Sequence, residues 1–496
     1  MLTDYSVNDT PMLMDIRSDT LEPISGTNLV SNRFVFRLDQ AGYLDSNSML
    51  LFKCVNPNSN NTSRVNMFNG GLGAIKRATF QVGDYIINDV DGANMISTLM
   101  NMTTQPDSVR NRFNGWYYHN SLHKRVLEGA SAIEIDTEIG GTGSIIVDKA
   151  KSGIDRGQMN TAGGNNNNNI NINSARISNV EAGSYQIGIP LGVLFPALKG
   201  KTMPLFLFQD YRILLTFEFH DGSEFCNSTT ERRGVAPNAT TGRNPGLITP
   251  LNQIQFADVK LQVDYVIMPA SVQNKDREMT NQEGGLRLDF LDSIRVEKQI
   301  VAGTAGLEQD IEHRIGADNK EVHKIYMVKQ FTDPAVRNKQ PAQYVYGAQR
   351  IDGVPVESYN VNIGGINVFH DFKENPASQY DETSNCLGKD LKTPRGNYIN
   401  DPNTLFNGLN PSLGGFLGNY KPLCLDLTNG NNSVLGGGRT IGAYPIIWKY
   451  RRVPTGALAN RCASYEGAMN VNYYMLVSKT ATIRSTPMGT NILVSY

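Results

Sequence analysis

Two histidines have the spacing of metal ligands. His119 and His123 are four residues apart, as zinc ligands on one face of a helix would be. A zinc site needs three or four convergent ligands, yet no glutamate follows the first histidine and no cysteine lies nearby. The stretch Asp89–Gly92 resembles the beginning of a calcium loop, but the later ligands and closing glutamate of an EF-hand are absent. Neither pattern predicts a metal site.

A second group of patterns approaches nucleotide binding. Residues 195–202 end in Gly-Lys-Thr, like a phosphate-binding loop. Such a loop needs glycine where Phe195 stands and a helix that begins at the Lys-Thr pair, whereas Met203 and Pro204 follow here. Residues 70–73 lack the third glycine of a dinucleotide fingerprint. The sequence therefore predicts no nucleotide or other cofactor.

Paired carboxylates are the remaining candidates for catalysis. Glu134, Asp136 and Glu138 alternate along a possible strand and would share one face. Carboxylates two residues apart normally lie too close to bracket a sugar, so a solvated strand edge is the simpler interpretation than a glycosidase pair. No Gly-x-Ser-x-Gly motif and no reactive cysteine signature occurs. We predict no catalytic, cofactor-binding or metal-ligating residues, and a protein that makes contacts rather than an enzyme.

The overall charge excludes one class of partner. The 496 residues include 46 basic and 47 acidic ones, a net charge of −1. Binding to phosphate backbones requires a basic excess, so direct nucleic-acid binding is not predicted. The densest basic cluster, Lys449, Arg451 and Arg452, is interpreted as a solvated strand end.

The sequence also bears on location. Five cysteines without a Cys-x-x-Cys pair indicate reduced thiols and synthesis in the cytosol. The first 20 residues have neither a basic start nor an apolar core, so no signal peptide is predicted. The apolar run Ile187–Leu198 is broken by Pro190 and Pro196 and is shorter than the roughly 18 residues of a membrane span. No membrane span is predicted.

Alternating apolar and polar residues predict an all-β fold. In Phe256–Met268 the apolar residues mostly alternate with Asp258, Lys260, Gln262 and Asp264, the pattern of an antiparallel strand with one buried face. The predicted strands are Arg33–Leu38, Met49–Val55, Ala78–Ile87, Ser144–Asp148, Tyr211–Phe219, Phe256–Met268, Ser293–Val301, Val322–Gln330, Tyr359–Phe369, Ile441–Tyr450 and Met469–Ser478. Helical spacing is confined to Asn94–Met102 and, for a turn or two, Pro190–Leu198.

A weak internal repeat and long polar loops complete the pattern. Phe80–Ile87 and Val361–Val368 both read apolar, polar, apolar, glycine, and then a further strand-like run, which indicates duplication with a boundary near 269–285. Three polar segments, Thr104–Gly183 with its run Asn165–Asn169, Glu224–Pro250 and Asp371–Gly438, are predicted to project outward as loops.

Three stretches carry a family resemblance. The first is Tyr185–Leu191 followed by Lys201–Leu205 and Tyr211–Leu215, the second is Val259–Met268 followed by Val272–Met279, and the third is Phe290–Gln299. In this order they resemble the passage that closes the first barrel, the strand and charged connector between barrels, and the strand that opens the second barrel in the double jelly-roll major capsid proteins. That family belongs to double-stranded DNA viruses of eukaryotes, namely virophages, polinton-like viruses and nucleocytoplasmic large DNA viruses. The asparagine-rich loop, the residues before Gly70 and the segment Asp371–Gly438 depart from the family pattern and leave the viral lineage open.

The resemblance implies two consecutive eight-stranded antiparallel jelly rolls with long inserted loops and a few short helices. It implies an N-terminal arm at 1–29, a first jelly roll at 30–270, a connector at 271–285 and a second jelly roll at 286–496. It further implies a homotrimer with a pseudo-hexagonal outline that tiles an icosahedral capsid, synthesis in the host cytosol, residence in the virion, and minor and vertex capsid proteins as partners.

Two alternatives remain open at this point. Jelly rolls are also common among carbohydrate-binding and carbohydrate-active β-sandwich proteins, and a site rather than a fold decides between these functions. The other alternative is a minor or vertex capsid protein with a single barrel and a large additional domain, and the internal repeat of Phe80–Ile87 and Val361–Val368 argues against it.

Overall fold

A computed structural model describes a defined part of the chain. The described residues are 15–25, 32–55, 63–66, 72, 74–102, 159–160, 166–167, 169–171, 184–220, 226–228, 255–317, 319–331, 357–374, 378–379, 382, 386, 423–428, 438–442, 445–453, 467–486 and 489–496.

The first half of the chain is built mainly of strands. They are β1 (Asp15–Leu21), β2 (Arg33–Leu38), β3 (Tyr43–Leu44), β4 (Met49–Val55), β5 (Ser63–Asn66), β6 (Ile75–Val82), β7 (Tyr85–Asp91), β8 (Met159–Asn160), β9 (Asn166–Asn167), β10 (Asn169–Asn171), β11 (Ser184–Pro190), β12 (Met203–Pro204), β13 (Ile213–Phe219), β14 (Cys226–Ser228) and β15 (Gln255–Ile267). Helix α1 (Ala93–Met102), the single turn α2 (Leu191–Leu194) and 3-10 turns at Pro196–Leu198 and Leu205–Phe208 lie between them.

The second half follows helix α3 (Ala270–Asn281), which begins directly after Pro269. Proline suits this position because its fixed φ favours the start of a helix. The strands are β16 (Leu286–Ile300), β17 (Gln309–Ile315), β18 (Lys320–Phe331), β19 (Glu357–Ile363), β20 (Ile366–Asn367), β21 (Leu423–Asp426), β22 (Arg439–Ile441), β23 (Ile446–Arg452), β24 (Met469–Thr486) and β25 (Gly489–Ser495).

The two halves have the same sheet topology. Each half contributes eight strands to the two sheet orders below, and the strands additional to this count are β3, β5, β8, β9, β10, β12, β14, β22 and β25. In the first half the sheets are β1-β15-β4-β11 and β2-β13-β6-β7, and in the second they are β16-β24-β18-β21 and β17-β23-β19-β20. Counted along the chain, both halves therefore pair the first, eighth, third and sixth strands in one sheet and the second, seventh, fourth and fifth in the other. All of these pairs are antiparallel, so each half is a jelly roll.

Each jelly roll has an apolar core between its two sheets. In the first roll, Phe52 of one sheet and Phe219 of the other meet edge to face with ring centroids 5.0 Å apart. In the second roll, the fully buried Trp448 of β23 meets Tyr473 of β24 in the facing sheet, with 5.5 Å between ring centroids. Buried aromatic rings supply large apolar area and prefer such specific geometries, which favours one arrangement of the facing sheets.

The predicted repeat corresponds to a hairpin in each roll. Val82 and Tyr85 pair across a turn at Gly83, and Ile363 and Ile366 pair across a turn at Gly364. Both glycines have positive φ, +58° and +62°, which other residues rarely adopt. The prediction of single strands over 78–87 and 359–369 was therefore wrong, because the apolar alternation continues through the turn. The predicted strand 441–450 was also wrong, since β22 ends at 441 and β23 begins at 446.

The first described strand lies within the segment expected to be an N-terminal arm. Along its whole length, from Asp15 to Leu21, β1 pairs with β15, so it belongs to a sheet of the first roll. The predicted strand 144–148 and most of the three predicted loops lie outside the described residues. Among the described residues, no helix combines the length and hydropathy that a membrane crossing needs.

Candidate functional site: the junction between the two jelly rolls

The two rolls meet where β7 of the first contacts β16 of the second. Polar side chains, rather than apolar ones alone, join them here. Asn88 on β7 is fully buried, and its amide nitrogen donates a hydrogen bond of 2.5 Å to Oδ1 of Asp292 on β16. The Oδ1 atom of Asn88 in turn accepts a 3.2 Å hydrogen bond from the backbone nitrogen of Ala197 in the 3-10 turn. Asn88 thus connects three segments of chain.

A buried ion pair lies at the centre of the junction. Lys479 Nζ on β24 is 2.8 Å from Asp292 Oδ2, and the exposed fractions of these side chains are 3% and 2%. Lys479 also donates a 3.0 Å hydrogen bond to the carbonyl oxygen of Ile86 in the first roll. Burial raises the pKa of Asp292, and the ammonium of Lys479 opposes that shift. A buried charge is tolerated only when it is paired and hydrogen-bonded, so this network fixes the relative position of the rolls.

A second polar contact lies further along β7. Arg295 Nη1 on β16 is 3.2 Å from Asp91 Oδ2, and Arg295 Nε donates a 2.8 Å hydrogen bond to Asn472 Oδ1. Gly92 follows Asp91 with a φ of +69°, and a Cβ atom at this position would lie 2.4 Å from the hydroxyl of Tyr474 on β24. The chain approaches the second roll so closely here that only glycine fits without a shift.

The added strand β25 provides a third connection. It pairs with the end of β24 from Thr480 to Thr486. The backbone nitrogen of Thr490 donates to Asp210 Oδ2 at 2.8 Å, and the hydroxyl of Tyr211 donates to the Thr490 carbonyl at 2.7 Å. Because Asp210 and Tyr211 belong to the first roll, β25 contacts both halves of the chain.

A cavity of about 790 Å³ lies beside the junction. Its lining includes Lys199, Lys201 and Arg287 but also Asp289 and Glu321, so opposite charges are mixed. Burial lowers the pKa of Lys199 and of Lys201. Lys201 Nζ donates a 2.8 Å hydrogen bond to the carbonyl oxygen of Asp289, which connects the first roll to β16. Lys201 therefore contributes to the contact between the rolls.

One pair in the cavity has a geometry that catalysis can use. His323 Nε2 is 2.6 Å from Ser478 Oγ, the relationship of a base to a nucleophile. Burial lowers the pKa of His323. Within the described part of the chain, no carboxylate forms a hydrogen bond with His323 to orient its ring, as a triad requires. Sequence reasoning missed this pair because 155 residues separate its members.

The residues considered for calcium binding have structural partners. Asp89 forms a two-point ion pair with Arg77, with Nε to Oδ1 at 2.8 Å and Nη2 to Oδ2 at 2.6 Å. Asp91 binds Arg295, as described above. No cluster of three or more histidine, cysteine, aspartate or glutamate side chains suited to a metal occurs among the described residues. His119, His123, Glu134, Asp136 and Glu138 lie outside those residues.

The predicted basic cluster is not a solvated strand end. Arg452 on β23 is fully buried, and its Nε donates a 2.7 Å hydrogen bond to Gln309 Oε1. Arg451 is 2.8 Å from Asp310 and 3.0 Å from Glu308. The interpretation was wrong because neighbouring strands supply acceptors for these guanidinium groups, and sequence spacing alone does not reveal them.

Sequence and structure comparisons place this architecture among known folds. No protein-family model and no curated protein matches the sequence. Among solved structures, the chain is similar to PBCV-1 VP54 as fitted into a reconstruction of the virophage Sputnik, with 9% identity, 99% of each chain covered and a TM-score of 0.56. It is also similar to a chain of the quasi-atomic PBCV-1 virus capsid, with 12% identity, 99% of this chain and 98% of that chain covered, and a TM-score of 0.53. The chain therefore has the double jelly-roll fold of these viral capsid structures.

Proposed function

We propose that the protein is the major capsid protein of a double-stranded DNA virus, and that it assembles as a pseudo-hexagonal homotrimer that tiles an icosahedral shell. The observation that carries this proposal is the duplicated topology. Two rolls with one strand order lie side by side in one chain, joined by the buried pair Lys479–Asp292. The likeness to two viral capsid structures over 99% of this chain supports the same conclusion.

The duplication gives a physical route to a hexagonal outline. One chain supplies two similar units, so three copies around a threefold axis supply six. Subunits in cyclic oligomers close their interfaces, and obligate interfaces commonly bury about 2,000 Å² or more. A hexagonal outline built from such units can cover a surface by edge-to-edge contacts.

Several further properties belong to this proposal. The protein acts by assembly and not as an enzyme, is synthesised in the host cytosol and resides in the virion, and contacts minor and vertex capsid proteins. We propose two structural domains joined by a connector at 271–285, with the second roll at 286–496. The first roll extends to residue 270, and its sheet includes β1, so we place its start at Asp15 rather than at residue 30.

Sedimentation and imaging of the purified protein test this function. Analytical ultracentrifugation is expected to give the mass of three 54.7 kDa chains, and negative-stain images are expected to have a hexagonal outline with threefold symmetry. A protein that stays monomeric at every concentration would refute the proposal. Specific retention on a glycan array by that monomer would favour the carbohydrate-binding alternative instead.

A further inference from the structure

The contact between the two rolls joins unlike surfaces. The first roll contributes β7, the fifth of its eight strands and the last in its sheet. The second roll contributes β16, the first of its eight strands, together with the adjacent β24. Asn88 and Asp292 meet across this contact, and so do Asp91 and Arg295. A contact between unlike surfaces of two similar units is heterologous, and it can be repeated from one copy to the next.

Each roll carries both kinds of surface because the two strand orders are the same. In the second roll, β20 is the counterpart of β7, since it is the last strand of the sheet β17-β23-β19-β20. In the first roll, β1 is the counterpart of β16, since it is the strand that pairs with the eighth strand. Within one chain, the junction uses β7 and β16, and it leaves their counterparts β20 and β1 unused.

The two unused strands are also largely exposed. Ile16 on β1 is 60% exposed, and Ile24, just after β1, is 63% exposed. Ile366 on β20 is 66% exposed. The corresponding strands at the junction, β7 and β16, carry fully or nearly fully buried residues such as Asn88 and Asp292. Large exposed aliphatic side chains at both free surfaces are what a contact with another copy would bury.

Charges beside these isoleucines are already paired within the chain. Arg17 on β1 lies 2.5 Å from Asp19 and 3.2 Å from Asp39. Lys373, which follows β20, lies over the ring of Phe369 at 4.6 Å. Docking through Ile16 and Ile366 would therefore not require these cations to find new partners.

We propose that β20 and its turn in one copy dock against β1 of a second copy of this chain, in the manner in which β7 meets β16 within the chain. The proposal rests on the proposed function, because it identifies the surfaces through which the trimer forms. Since the contact is heterologous, every copy offers one surface and accepts the other, and three copies close into a ring of six rolls.

Two aspartate substitutions test the docking surfaces. Ile366→Asp and Ile16→Asp each place a charge in the contact and remove a buried aliphatic side chain. Each is expected to weaken the association between copies roughly tenfold or more, and so to shift the trimer toward monomer in sedimentation. Leu493→Asp is the matched control, because Leu493 is 65% exposed but lies on β25, outside both surfaces. Circular dichroism and thermal unfolding check that all three variants remain folded.

Cross-linking gives a second readout that does not depend on disrupting the fold. The double variant Ile16→Cys/Ile366→Cys, treated with a short bis-maleimide, is expected to give bands of two and three linked chains on denaturing gels. Either single cysteine variant, with the native cysteines present, is the control. Cross-linking that leaves only single chains in a trimeric preparation would overturn the docking proposal.

The outcomes separate the two proposals. A wild-type protein that is monomeric at every concentration refutes the proposed function and the docking inference together. A wild-type trimer that persists in both aspartate variants refutes the docking inference alone.

Discussion

Lys479 and Ile86 are 393 residues apart in sequence, yet the Lys479 ammonium donates a 3.0 Å hydrogen bond to the Ile86 carbonyl oxygen. This contact joins an inner strand of the second roll to the hairpin of the first. Lys479 also pairs with Asp292 on its own roll. Lys479 therefore binds Asp292 within the second roll and, through Ile86, also contacts the first roll.

Removing the lysine charge is expected to destabilise the protein strongly. In Lys479→Met, Asp292 would remain buried without its cation, and breaking a buried pair in this way costs about 3–5 kcal/mol. Asp292→Asn removes the opposite charge, and the double variant should lose less stability than the two single variants combined. Chemical unfolding followed by tryptophan fluorescence, to which the buried Trp448 contributes, measures these differences. Additive losses in the double variant would contradict an energetic coupling between the two residues.

The close approach of Gly92 to Tyr474 predicts that alanine destabilises the protein more at position 92 than at position 200. Gly92→Ala combines a strained positive φ with a clash against the Tyr474 hydroxyl, whereas Gly200→Ala has the strain alone, because nothing lies within 4 Å of its Cβ position. Strain of this kind costs about 1–2 kcal/mol per residue, so the Gly200 variant should lose about this much stability. The Gly92 variant should lose distinctly more. Thermal unfolding of the two variants measures these losses of stability. Equal losses would mean that the rolls are not in tight contact at Tyr474.

Two buried histidines predict a loss of stability in mild acid. His313 binds the Tyr473 hydroxyl at 2.8 Å and the Gln299 carbonyl oxygen at 3.0 Å, and burial lowers its pKa, as it does that of His323. Well above pH 6.5 both rings are neutral whether the chain is folded or unfolded. Below pH 6.5 the unfolded chain binds protons that the folded chain resists, so stability falls by up to about 1.4 kcal/mol per pH unit for each histidine.

A histidine variant isolates this contribution. His313→Gln should reduce the slope of unfolding free energy against pH between about 6.5 and 5, where the unfolded histidine titrates. His370→Gln is the control, because His370 is exposed and bonds only to the neighbouring Asp371 among its described contacts. An unchanged slope in the His313 variant would show that another group causes the pH dependence.

Two cysteines are expected to resist alkylation in the native protein. Cys386 and Cys424 are buried free thiols, and burial raises the pKa of Cys386 well above its ordinary value. The thiolate is the reactive form, so both should react with iodoacetamide slowly in buffer and quickly in denaturant. Peptide mass spectrometry follows each site separately. Fast labelling of Cys386 in buffer would indicate that this part of the second roll opens readily.

The sequence predicts strands best where one face is apolar and the other polar. Strands β2 and β4 have the predicted bounds, and β15 differs by one residue at each end. Strand β1 was missed because its sequence DIRSDTL has few apolar residues, and most of the strand is exposed. The hairpins at Gly83 and Gly364 were read as single strands because periodicity does not register a two-residue turn.

The junction could not be predicted from local pattern. Asn88 and Asp292 are 204 residues apart, and each lies in an apolar strand where a polar residue could equally face solvent. A weak signal was present, since Lys479 comes two residues after the apolar run 473–477 of β24 and Asp292 interrupts the run FLDSI. Such a residue must be either exposed or paired, and only the folded chain identifies its partner.

In each roll, the last of the eight strands to leave the ribosome lies inside a sheet. It is β15 in the first roll and β24 in the second. Strand β1 emerges about 240 residues before its partner β15, which at translation rates of roughly 5–20 residues per second is a wait on the order of 10–50 seconds. Strand β16 waits in the same way for β24. Nascent chains therefore carry unpaired strand edges for most of their synthesis, and unpaired edges are prone to aggregation. The junction between the rolls cannot form before β24 has emerged, because Lys479 lies on that strand.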